Sequence, residues 1–147
     1  MSAPNINSED AKTFKALFSG YSQAHGTFEI NETDPQTGKK KGNARTIRRG
    51  ATLQEWEEHL AGGPKGLGTI PLLDDGECVQ WAAIDIDDNE IDHPMLDAKV
   101  RELGLPLVVC RSKSGGAHCY LFLEKPCPGK DAVDALTNWS AALGHPG

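Results

Sequence analysis

Asp85 and Asp87 sit two residues apart in Ile84-Asp85-Ile86-Asp87, at the end of an apolar run that begins near Val79. In an extended chain successive side chains alternate faces, so both carboxylates leave the same face and can hold a divalent cation between them. Hard oxygen ligands of this kind suit Mg2+ or Mn2+. Downstream lies Arg111-Ser112-Lys113-Ser114-Gly115-Gly116-Ala117-His118. Its hydroxyls, backbone amides and ammonium group suit phosphate oxygens, and His118 re-enters a strand where its imidazole can reach the same pocket. A metal site beside an anion cradle points to phosphoryl transfer on a nucleotide.

Each piece also has a plainer reading. An Asp-x-Asp at a strand end can be a solvated edge or a turn cap. Against this, Trp81-Ala82-Ala83-Ile84 is core-grade sequence, where an unpaired charge is costly and a bound cation would remove the cost. Asp88 falls on the opposite face and continues into a polar turn. The Ser112 to Gly116 segment can be a simple hairpin connection, and a lone histidine can be structural. Arg111 and Lys113 favour the anion cradle, and its proximity favours a functional His118.

Six of the fifteen Lys and Arg residues crowd into one stretch, Lys39, Lys40, Lys41, Arg45, Arg48 and Arg49. They make either a solvated loop or a contact with template or nucleotide phosphates, with Gly42 and Asn43 letting the backbone follow a strand. The net charge of -6 argues against a surface that coats DNA generally. His25 is equally ambiguous and receives no catalytic role.

Elements must hold these groups in place. Asn7 or Ser8 caps a first helix with Ala11, Phe14, Leu17 and Phe18 on its apolar side, stopped by Gly20. Residues 21–30 read as extended and 33–42 as turn-rich. Thr52 to Glu55 forms a capping box for a helix carrying Leu53, Trp56 and Leu60. Residues 61–68, with four glycines and a proline, read as a loop, and Thr69 to Leu73 as extended before a turn at Asp74-Asp75-Gly76. A strand from Val79 to Asp87 precedes a helix opened by Asp92 and Pro94, with Leu96, Val100 and Leu103 on its buried side and Gly104 as its stop. Strands Leu107 to Cys110 and Ala117 to Leu123 then form a hairpin, and a helix at about 131–143 buries Ala132, Leu136, Trp139 and Leu143. The expected class is α/β, in the α+β sense: a mixed β-sheet with flanking helices and one strand-helix-strand unit.

With 147 residues, 38% hydrophobic, the chain suits one compact domain, 1–147. No long apolar span or export signal is visible, so a cytoplasmic location without membrane contact is expected. Cys78, Cys110, Cys119 and Cys127 form no Cys-x-x-Cys pair and read as free thiols. Zinc held by Cys110, Cys119 and His118 is the alternative.

Several of these segments resemble one family. They are Phe18-Ser19-Gly20 with Ala24-His25-Gly26-Thr27-Phe28, Trp56 with His59-Leu60, and Gly66-Leu67-Gly68 with Ile70-Pro71-Leu72. More specific are Ala83-Ile84-Asp85-Ile86-Asp87 and Leu107 through His118. Together the chain resembles the archaeo-eukaryotic primase superfamily, in particular the primase domains of TOTE conflict systems and related phage or plasmid primase-helicases.

The resemblance implies the N-terminal portion of that fold, with its RRM-like core. It also implies a template-dependent DNA primase or primase-polymerase acting in replication, using two divalent metals. Metal ligands fall on Asp85 and Asp87, and a phosphate-binding histidine on His118. Arg111, Ser112, Lys113, Ser114, Gly115 and Gly116 line a nucleoside triphosphate, and Lys39 to Arg49 hold a single-stranded DNA template, with a helicase domain or protein as a further partner. Two departures stand out. Gly116 occupies a position where the superfamily often has serine. A third acidic motif would be expected after Gly147, so a truncated module is the expectation. The alternatives are a non-catalytic nucleotide or nucleic-acid-binding module and a metal-dependent nuclease.

Overall fold

The structure, a computed structural model, describes residues 5–38 and 40–146. These form two compact units, one within residues 1–76 and one within 77–147, each with its own three-stranded antiparallel sheet. The α/β class is as expected, and the strands are shared between two sheets instead of one.

In the first unit, helix α1 (Ser8–Leu17) opens with a full capping box, in which Asn7 accepts from the Asp10 amide and Asp10 from the Asn7 amide. Only Ala11 is buried on this helix, while Phe14 and Leu17 stay exposed. The apolar stripe read from the sequence therefore covers little core. Strands β1 (His25–Thr33) and β2 (Lys40–Ile47) pair antiparallel, and helix α2 (Leu53–Leu60) follows on its expected Thr52–Glu55 capping box. Strand β3 (Lys65–Gly68) then pairs with the other edge of β1.

Two segments read as loops are thus strands. Local propensity is poor in both, since β2 is rich in Lys, Arg, Gly and Asn and β3 is half glycine. Pairing with β1 overrides it, and lysines on the β2 edge discourage edge-to-edge association. The turn residue Asp74 accepts from both the amide and the hydroxyl of Ser22, which holds its carboxyl below the usual range.

The second unit runs β4 (Cys78–Ile86), α3 (His93–Glu102), β5 (Val108–Arg111), β6 (Ala117–Pro128) and α4 (Gly129–Ala142). The strand order is β4-β6-β5. Both neighbours run antiparallel to β6, so β4-α3-β5 is a crossover with a strand inserted between its two ends. Asp92 caps α3, and Gly104, at φ +64, ends it as expected. One face of the sheet presents Ile84, Ile86, Ala117, Cys119 and Leu121 to a core shared with Leu96, Val100, Leu107, Leu136 and Leu143. The opposite face carries the candidate chemistry.

Candidate active site

The pairing of β4 with β6 places Asp85 directly across from His118, and the pairing of β5 with β6 places Cys110 on the other side of His118. Asp85, His118 and Cys110 therefore form one row across the sheet, on the face opposite Ile84, Ile86 and Cys119. The next row is Ala83, Tyr120 and Val108. His118 Nε2 lies 3.3 Å from Asp85 Oδ1, and its Nδ1 lies 3.1 Å from the Tyr120 hydroxyl. Burial raises the Tyr120 hydroxyl above its ordinary pKa, with smaller contributions from Cys110 and Asp85.

Alternation along β4 keeps Ile84 and Ile86 in the core and turns Asp85 outward, where its side chain is 67% exposed. The desolvation cost expected from the apolar flanks is therefore absent: the apolar residues and the acids occupy different faces. Asp87 is exposed one residue past the end of β4. Both groups are oxygen acceptors open to a hard cation, a donor set that fits Mg2+ or Mn2+. Among the described residues no group of three or more His, Cys, Asp or Glu side chains is arranged to hold a metal ion.

The Ser112 to Gly116 segment is the β5–β6 hairpin connection. The Ser112 amide donates to the Gly116 carbonyl at 2.8 Å and the Gly115 amide to the Ser112 carbonyl at 3.1 Å. Those two amide bonds stabilise the turn. Ser112 is buried with its Oγ 3.1 Å from that of Ser114, while Arg111 and Lys113 are exposed. Register pairs Arg111 with Ala117, on the opposite face from His118.

Gly116 is fixed by sterics, since a Cβ there would stand 2.1 Å from the Ile86 carbonyl oxygen. Close backbone approach between the hairpin and the end of β4 thus excludes serine in this conformation. His93, at the start of α3, donates from Nε2 to the Gly116 carbonyl at 2.8 Å and ties the hairpin to the helix. Sequence reading missed His93 and Tyr120. The period-two spacing of Tyr120 from His118 was the available signal for the second; the first depends on a long-range approach.

In the first unit the basic residues are spread by strand alternation. Lys41 and Arg45 share one face of β2 and Lys40 the other, while Arg48 and Arg49 follow the strand. Lys39 lies outside the described residues. Arg49 is engaged with Glu55 through two contacts, at 2.8 and 2.7 Å, and the Arg49 guanidinium holds the Glu55 carboxyl down at about 2. His25 is buried, with Nδ1 2.8 Å from the Arg49 carbonyl. The zinc alternative fails on geometry: Cys119 is fully buried in the core, whereas Cys110 and His118 occupy the other face. Burial pushes the Cys119 thiol up to about 11.

An exposed carboxylate against a strand histidine, beside a serine-lysine-glycine hairpin, now meets an independent finding: the model of the TOTE conflict system archaeo-eukaryotic primase domain matches residues 10–142. The chain belongs to that primase family. No curated protein matches it significantly. Membership supports a primase-like nucleotidyltransferase function in general terms; the family as a whole implies nucleotide and DNA binding and generally uses divalent metal ions. The primase match spans both units, covering the basic strand β2 and the Asp85–His118 row alike. No helix of this primase domain, among the described residues, is long and apolar enough to cross a membrane.

Proposed function

We propose that this chain is a DNA primase or primase-polymerase domain that binds a nucleoside triphosphate with Mg2+ or Mn2+ and extends a strand on a single-stranded DNA template in replication. The observation that carries the reading is the cross-strand contact of His118 with Asp85, with the Ser112 to Gly116 hairpin immediately preceding His118 in the chain.

Asp85 and Asp87 would hold the cation. When bound, it would neutralise charge on the triphosphate and lower the barrier to attack by a 3'-hydroxyl on the α-phosphorus. His118 would donate from Nε2 to a phosphate oxygen, and Lys113, with the Ser112 and Ser114 hydroxyls, would hold the leaving pyrophosphate as its charge grows. Lys40, Lys41, Arg45 and Arg48 would contact template phosphates. Arg49 fits this role less well because Glu55 already engages it.

A second reading is a nucleotide-binding module without catalysis, consistent with the finding that no group of three or more His, Cys, Asp or Glu side chains among the described residues is arranged to hold a metal ion. Incubation with labelled nucleoside triphosphates, Mn2+ and a single-stranded template separates the readings. Template-directed lengthening that requires Asp85, Asp87 and His118 supports the primase. Metal-dependent nucleotide binding without product supports the module, and shortening of the template would mean a nuclease.

A further inference from the structure

Helix α3 begins at His93 on a firm footing. The Asp92 side chain accepts from the Met95 amide at 2.9 Å, and Leu96 and Val100 anchor the helix in the core. From this fixed start the imidazole reaches across to the Gly116 carbonyl, 2.8 Å from its Nε2. A carbonyl can only accept, so the ring donates. The same oxygen takes the Ser112 amide at 2.8 Å, the bond that closes the 112–116 hairpin.

The other side of the hairpin rests on the segment that carries Asp87. A Cβ on Gly116 would stand 2.1 Å from the Ile86 carbonyl oxygen, and one on Gly115 would stand 3.8 Å from Asn89 Oδ1. Between Asp87 and His93 the chain turns on Asp88, whose side chain accepts from the Glu90 amide at 2.9 Å and whose carbonyl accepts from the Ile91 amide at 3.3 Å. The path is therefore a closed circuit: out from β4 through Asp87, round the Asp88 turn to His93, across to Gly116, and back onto Ile86. His93 supplies the one side-chain bond that shuts it at the helix.

A connection of serine, lysine and two glycines has many conformations open to it, and freezing them on binding would lower affinity for any ligand it holds. A tether to a helix fixed in the core removes that freedom beforehand. We infer that His93 is a positioning residue for triphosphate binding, holding the 112–116 hairpin against the Asp87 segment before the nucleotide arrives. The inference rests on the reading of that hairpin as the phosphate cradle. His93 acts through the Gly116 carbonyl and not by touching the nucleotide.

His93→Phe keeps a ring at the start of α3 and removes the donor, while His93→Gln restores a side-chain N–H of similar reach. Calorimetry with Mn2+ and a nucleoside triphosphate measures triphosphate affinity, and electron paramagnetic resonance follows Mn2+ alone. Hydrogen exchange at the Ser112 and Gly115 amides reads the hairpin, with a thermal melt of each chain beside it. In His93→Phe, triphosphate affinity should fall about 3- to 10-fold, the value of one ordinary hydrogen bond. Exchange at those two amides should quicken while binding of Mn2+ alone stays unchanged, and His93→Gln should recover most of the loss.

Unchanged triphosphate affinity in His93→Phe, where Lys113→Ala loses affinity, overturns the role of His93 and leaves the cradle standing. An equal loss for Mn2+ alone, a loss that His93→Gln does not recover, or a His93→Phe chain that no longer melts cooperatively overturns it as well, in favour of a general support of the fold. Undiminished triphosphate binding by a Lys113→Ala, Ser114→Ala double variant overturns the cradle reading and the role of His93 together.

Discussion

Replacing Asp85 with asparagine tests the candidate centre most directly, because it removes one charge and little else. The side chain is 67% exposed, and it lies 3.3 Å from His118 Nε2. Exposed pairs of this kind contribute between nothing and about 1 kcal/mol, so the melting temperature should move by no more than a few degrees. The effect on a bound divalent cation is larger. Two unit charges about 4 Å apart interact by about 1 kcal/mol in bulk water and about 4 kcal/mol at an effective dielectric near 20, and a double charge doubles both. Because Asp85 is well solvated, the expected loss lies toward the lower end, about 2–4 kcal/mol, or roughly 30- to 1000-fold in affinity. Calorimetric titration with Mn2+ and a nucleoside triphosphate, beside a thermal melt of each protein, measures both quantities. Unchanged metal-dependent binding in Asp85→Asn would refute the assignment of this carboxylate to a cation. A chain that no longer folds would show that Asp85 supports the sheet.

Gly116→Ser should lower stability by about 1–3 kcal/mol, since its Cβ would meet the Ile86 carbonyl at 2.1 Å; an unchanged denaturant midpoint would show that the hairpin can shift at no cost. Glu55, whose carboxyl is depressed to about 2 in the folded chain, contributes stability that is fully present above its ordinary value of 4.5 and is lost as pH falls toward 2. After discounting for its 30% exposure, that contribution is about 1 kcal/mol. Glu55→Gln should flatten stability between pH 5 and 2 by this amount in urea titrations. Under mild alkylation the exposed Cys110 should react well before Cys119, which is fully buried with its thiol pushed up to about 11. Peptide mass spectra finding both labelled equally would contradict the core position of Cys119.

Much of the second unit was legible from local pattern. Alternation placed Asp85 on one face and Ile84 with Ile86 on the other, Asp92 and Gly104 bounded α3, and the small residues 112–116 marked the hairpin. Such signals work because caps, turns and strand alternation depend on neighbours a few residues away. The first unit was less legible. Strands β2 and β3 are poor in β-forming residues and exist by pairing with β1, which nothing within either segment announces.

By itself the sequence determined which groups could act: two oxygen acids at strand spacing, a hydroxyl- and glycine-rich hairpin, and a histidine re-entering a strand. Tertiary structure decided which of them meet. The insertion of β6 between β4 and β5 brings His118 against Asp85, sets Cys110 and Tyr120 beside it, and turns Cys119 into the core. It also brings Gly116 so close to Ile86 that no side chain fits. These relations depend on register between segments about 30 residues apart, and register is set by the burial of Ile84, Ile86, Cys119 and Leu121 on one face. A shift of one residue would send the histidine to the core and the cysteine to the site.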